Sequence, residues 1–186
     1  MAQTATCPEL KDFLAANECL ENFGGLGVNV YVFLKSDLKA PLKAEKNVYP
    51  ALTSESFNTG KGLYKFECKE GSQGHSFESL GRRGGYKQQI DYVFESVDAA
   101  SAEIGRALNN LDLGYILQDG EKNIIVYDPQ HKVEYASGGI KGDTGKKPDD
   151  ERSVVCSGTL QPTTYGRYEI PAPESGWDSL LASKKA

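Results

Sequence analysis

The sequence is poor in the residues that mark the common catalytic and metal-binding classes. It has only two histidines, His75 and His131. Neither lies at the i, i+4 or short-loop distance from another strong ligand that a zinc or hydrolytic site requires, so both are expected on the surface. The four cysteines, Cys7, Cys19, Cys68 and Cys156, form neither a C-x-x-C pair nor a dense framework. Buried free thiols are therefore expected, and Cys7 and Cys19 would pair only if the first segment folded back under oxidising conditions. No apolar run approaches the ~18 residues of a membrane-spanning helix, so no membrane anchor is expected. The start MAQTATCPEL has neither a basic stretch nor an apolar signal core, which leads to an expectation of folding in a cytoplasm. Basic residues, 21 against 26 acidic ones, leave a net charge of -5, which argues against DNA or an acidic membrane as the principal ligand.

What is present reads as one β-rich domain with arms at its ends. With 39% apolar residues, ten Tyr and 20 Gly in 186 residues, the chain can bury a sizeable core and make many turns. Residues 1–26 form an N-terminal segment in which Pro8, Leu10, Phe13 and Leu14 suit a short helix. Next, VNVYVFLK alternates with apolar residues on both faces, as an interior strand does. Ser36 to Gly60 shows no period and reads as a long connection or edge region. GLYKFECKE places Tyr64, Phe66 and Cys68 on one face, and HSFESLGRRGGYKQQIDYVFES reads as two strands around a Gly-rich turn. A helix near 98–110 is expected, capped by Asp98, with Ile104, Leu108 and Leu111 on one stripe. LGYILQD and KNIIVYD, joined through Gly120-Glu121, form an expected hairpin, followed by strands KVEYAS, ERSVVCSGTL and GRYEI. This order excludes repeating β-α-β units and predicts a mainly β, α+β domain over 27–170, an antiparallel sandwich or barrel with one flanking helix. Residues 171–186, with Trp177, Leu180 and Leu181, read as an arm that docks either on its own domain or on a neighbour.

Tests for chemistry return little. SGGIKGDTGKK, residues 137–147, looks like a phosphate-binding loop, but the Gly required five places before Gly145 is Ile140, and Lys147 stands where Ser or Thr would hold magnesium. Pro148-Asp149-Asp150 then follows in place of a helix, so a mobile link between strands is expected. Asp112, Asp119 and Asp128 border turns without a calcium-loop pattern. No G-x-S-x-G elbow occurs and no cysteine has an evident base, so no enzyme and no cofactor are expected. Arg82 and Arg83 make one basic hairpin tip, and Lys141, Lys146 and Lys147 make a second basic loop. Both read as solvated turns or as salt-bridging contacts to a neighbouring subunit.

The series GLYKFECKEGSQGHSFES, GYKQQIDYVFES, SAEIGRALNNLDLGYILQDGEKNIIVYD and ASGGIKGDTGKKPDDERSVVCSGTLQPTTYGRYEI resembles small tail proteins of tailed bacteriophages, particularly tail tube proteins, over roughly residues 60–170. The resemblance implies a β-sandwich or barrel with a flanking helix that assembles as stacked six-membered rings. DNA would pass through them as transient cargo, and other tail proteins would be partners. It also implies no catalysis and no cofactor, with assembly in the bacterial cytoplasm and residence in the virion tail. Other tail, connector or injection-system rings share the pattern. A monomeric β-sandwich that binds carbohydrate through exposed Tyr and Trp is the reading from another class. On the ring reading, the expected subunit contacts are Arg82, Arg83, Lys141, Lys146, Lys147, Trp177, Leu180 and Leu181.

Overall fold

The computed structural model describes residues 26–119, 122–147 and 150–182. The expected N-terminal helix, the pairing of Cys7 and Cys19, and the Gly120-Glu121 turn lie outside these residues. The chain forms β1 (Asn29–Leu34), β2 (Tyr64–Glu67), β3 (Gly74–Ser79), β4 (Tyr86–Phe94), α1 (Ala99–Asn110), β5 (Leu113–Asp119), β6 (Lys122–Val126), β7 (Ile140–Asp143), β8 (Ser153–Thr163) and β9 (Glu169–Ile170). They build two antiparallel sheets, ordered β2-β1-β5-β6-β9 and β3-β4-β8-β7. The result is a two-sheet sandwich with one helix. The barrel alternative does not hold for the single chain, because the second sheet ends on two separate edges, β3 and β7, and does not close on itself.

The apolar alternation of the first strand explains the layering. Val30 and Val32 of β1 face the space between the sheets, where they meet Tyr115 and Leu117 of β5, Ile90 and Tyr92 of β4, and Cys156 and Leu160 of β8. Tyr31 and Phe33 point the other way, into a second core with Ile116, Ile125 and Tyr127. A strand apolar on both faces needs a cover on both faces. The second cover comes from Leu38, Tyr49, Leu52 and Phe57, together with Tyr168, Ile170, Trp177 and Leu180.

Of the two readings of Ser36 to Gly60, the long connection holds, but it is packed on the sheet and does not run free. It is a covering layer with short helical turns at Lys35–Asp37 and Ser54–Ser56. It carries no period because its buried residues are spaced by turns. Gly114 belongs to the same packing, since a Cβ there would lie 2.3 Å from the Phe33 ring.

The helix starts where its cap residue predicts. The Ser101 amide donates to the Asp98 carboxylate at 2.7 Å, and the Asp98 amide donates to the Ser101 hydroxyl at 2.9 Å, a reciprocal capping box. Leu108 is buried and Ile104 packs on the inter-sheet core. Leu111 does not complete the stripe: it is the helix C-cap and is 42% exposed. Two further expectations change. KVEYAS supplies only one bridge, Glu134 with Thr159, while the Tyr135 hydroxyl joins those of Tyr92 and Tyr115 at 2.7 and 2.8 Å inside the core. The loop 137–147 is not a free link, because Ile140–Asp143 within it is β7, hydrogen-bonded along β8.

Candidate assembly surface

The two sheets differ in how they end. In the five-stranded sheet, β9 is flanked by Val48, with the Tyr49 amide donating to the Glu169 carbonyl at 2.9 Å. At the other edge, the chain just before β2 is flanked by Leu181, with the Leu63 amide donating to the Leu180 carbonyl at 2.8 Å and the Ala182 amide donating to that of Leu63 at 2.9 Å. In the four-stranded sheet, no bridge lies beyond β3 or β7 among the described residues.

The outer face of that four-stranded sheet is polar. Register places Ser76 and Glu78 of β3 beside Lys87, Gln89 and Asp91 of β4, and these beside Ser157 and Thr159 of β8. Lys141 of β7 lies opposite the half-exposed Val155, and Asp143 opposite Ser153. The face is knit together: Lys87 pairs with Glu78 at 2.9 Å, while the Gln89 amide donates to Asp91 at 3.0 Å and to the Ser157 hydroxyl at 3.3 Å. The opposite face of the same strands carries Gln88, Ile90, Tyr92, Phe94, Val154, Cys156 and Leu160, all buried. Strict alternation in β4 and β8 thus separates a dry face from a wet one.

The basic residues take up three places around this sheet. Arg82 and Arg83 are exposed at the β3–β4 tip, where the Gly84 amide bonds the Gly81 carbonyl at 3.1 Å and Arg83 sits at φ 66. Lys146 and Lys147 lie at the β7–β8 tip, at the other end of the strands. Their amides donate to the Asp150 carboxylate at 2.7 and 2.9 Å, which holds that carboxyl below its usual range. Lys141 stands on the β7 edge between the two tips.

Trp177 and Leu180 are corrected as subunit contacts. They are 4% and 8% exposed inside their own domain, where Trp177 packs against Tyr31 and its indole donates to Asn123 at 3.3 Å. Apolar cover for β1 is needed at that spot, and the C-terminal segment supplies it. Leu181, 39% exposed, remains on the surface.

The sequence reading missed Phe77. It is 55% exposed near the end of β3, lies against Gly166 and meets the Tyr86 ring at 6.0 Å; Leu80 and Tyr165 are also exposed. A phenylalanine in the otherwise polar HSFES was the available signal.

The titratable groups are arranged for packing. Burial pushes the Cys68 thiol up to about 11 and the Cys156 thiol up to about 12, so both stay protonated and unreactive at neutral pH. Both are free and buried, as expected. His75 departs from the surface expectation: it is half-buried, 3.5 Å from the Gln88 amide oxygen, and burial lowers its pKa. Among the described residues, no group of acidic, histidine or cysteine side chains could hold a metal ion, and no described helix is long and apolar enough to cross a membrane. A groove of about 890 Å³ runs as an open surface trough along β2, lined by Leu63, Tyr64, Phe66 and Leu181. No family model, curated protein or solved structure matches the chain.

Proposed function

We propose that the chain is a virion structural protein, a tail tube or tail ring subunit. It assembles into rings in the bacterial cytoplasm and lines a channel through which DNA passes. The observation that carries this reading is the asymmetry of the two sheets. Among the described residues, the central strands of one sheet are covered on both faces, and its edges are flanked in part, by Val48 beside β9 and by Leu181 just before β2. The other sheet keeps a polar face and, among the described residues, no bridge beyond β3 or β7. Side by side, such sheets bury their edges in one another and present Ser76, Gln89, Ser157 and Thr159 to the enclosed space. The same face carries Lys87 and Lys141 beside Glu78, Asp91 and Asp143, and in a chain of net charge -5 this mixed, mutually paired surface gives DNA little to hold. Other tail proteins are the expected partners at the ends of a stack, where Arg82, Arg83, Lys146 and Lys147 stand at opposite tips of the strands.

The carbohydrate-binding reading is less well supported. Trp177, which a sugar platform would use, is buried, and Phe77, Tyr64 and Tyr165 lie on separate elements. Negative-stain microscopy of the purified protein over a concentration series tests the proposal. Rings or tubes with an axial pore are expected, and a particle that stays monomeric at the highest concentration would sink it.

A further inference from the structure

We infer that β7 of one copy pairs antiparallel with β3 of the next, Lys141 opposite Glu78, and that the built-in offset of these two edges tilts the strands of the ring by about 45°. This rests on the ring reading above and specifies its seam.

Three features carry it. The first is strand direction. The pairs β3–β4, β4–β8 and β8–β7 are all antiparallel, so β3 and β7 point in opposite directions. Rotation about a ring axis leaves the sense of every strand along that axis unchanged, so β7 meets its neighbour's β3 antiparallel. The joined sheet then alternates throughout, and the contact is head-to-tail, as ring closure requires. An odd number of strands would give a parallel seam.

The second feature is the offset. Through β4, the residues of β3 lie level with Ser157 to Thr163 of β8, whereas β7 lies level with Ser153 to Cys156. With Asp143, level with Ser153, set opposite Ser76, level with Thr159 through Gln89, the matched edges are displaced along the strands by about six residues, roughly 20 Å at 3.3–3.4 Å per residue. Four strands at about 4.8 Å occupy roughly 19 Å across the sheet. Matching β7 to the neighbour's β3 advances each copy by that displacement, which sets a tilt of about 45°, at the upper end of the 35–45° of closed barrels. The angle depends on the subunit alone and not on how many copies close the ring.

The third feature is side-chain complementarity. The outer face of β7 carries Lys141 and Asp143, and that of β3 carries Ser76 and Glu78. Outer residues must meet outer residues, since a one-residue slip would turn the faces over. The register with Lys141 opposite Glu78 forms an opposite-charge pair and extends the Lys87–Glu78 pair across the seam. It also sets Gly142 opposite the exposed Phe77 ring, and Asp143 opposite Ser76. Joining two β3 edges would gather Glu78 residues, and joining two β7 edges would gather Lys141 residues, so the charges select the unlike pairing.

The test is disulfide trapping in the full chain with Cys7 and Cys19 replaced by Ser. Asp143→Cys and Ser76→Cys, both exposed positions, lie directly opposite in this register, within reach of a disulfide. On mild oxidation the double variant is expected to give a ladder of covalent oligomers ending at one closed species, while each single variant gives dimers at most. Thermal melting within a few degrees of the parent establishes that the variants fold. Rings without a ladder would overturn the seam while leaving the ring reading intact. A ladder from Lys141→Cys with Ser76→Cys in its place would overturn the register. Failure of the native chain to form rings at any concentration would instead overturn the ring reading itself.

Discussion

The five-stranded and four-stranded sheets belong to one sandwich but face different surroundings. Strands β1, β5 and β6 carry apolar residues on both faces, and each of those faces is covered by the same chain. Strand β4 alternates from Gln88 to Phe94 and β8 from Ser153 to Leu160, and only their inner face is covered. The difference teaches where this molecule keeps its stability and, on the proposed reading, where it would make its contacts. The doubly covered sheet is the structural body, and the singly covered sheet, unbridged beyond β3 and β7 among the described residues, is the proposed working surface.

The comparison is broken most severely by charging the body. Ile116 is fully buried in the second core, so Ile116→Asp would strand a carboxylate without a partner. Loss of cooperative unfolding by circular dichroism is expected. A smaller but still large effect follows from Trp177→Ala, which removes the cover over Tyr31 and is expected to cost about 3–5 kcal/mol in denaturant melts. Deleting everything after Ile170 removes both Trp177 and Leu180, so the truncated chain is expected to be strongly destabilised as well as impaired in assembly. A truncated chain as stable as the parent would show that the C-terminal cover is dispensable.

On the working surface, Ser157→Lys with Thr159→Lys is expected to leave stability within about 0.5 kcal/mol, because both side chains lie on the outer face of β8. The same pair should make the assembled particle retain DNA in a salt-dependent manner, measured by co-sedimentation. An equal change of stability in both sheets would remove the distinction between them.

Much of this division was legible in the sequence, but unevenly. VNVYVFLK announced a strand covered twice, and the alternation through Tyr86, Gln88, Ile90, Tyr92 and Phe94 announced one covered once. Asp98 marked the helix start because capping is a local interaction between residues three apart. The cover from Leu38 to Phe57 was not legible: its buried residues have no period, and their partners on β1, β5 and β6 are distant in sequence. Trp177 illustrates the same limit. An apolar cluster on a tail says that something will be covered, and only the empty face over Tyr31 says what. β7 was hidden inside a Gly-rich stretch because an edge strand exposed on one face needs few apolar residues. The candidate surface was legible in part. The basic tips were visible as charge, while their placement at opposite ends of one polar sheet required the strand order.

The smallest expected effect is an acid sensitivity that the two sheets share. Asp178 accepts a hydrogen bond from the Tyr31 hydroxyl at 2.7 Å, on the covered side of β1, and that bond, assisted by Lys65, holds its carboxyl below the usual range. Asp150 is held low by the Lys146 and Lys147 amides at the β7–β8 tip. In both cases the folded pKa lies below the unfolded value near 4. Each group therefore contributes stability that is present above about pH 4 and is lost as pH falls through the folded pKa. The two carboxyls differ in what they hold. Asp178 ties the Trp177 turn to the body, whereas Asp150 orders only a solvated tip. Asp178→Asn and Asp150→Asn are each expected to flatten the fall of Tm between pH 4 and 2, and the double variant to flatten it more than either alone. A single variant whose Tm falls in parallel with the parent's would show that the carboxyl at that place contributes nothing to the acid sensitivity of the fold.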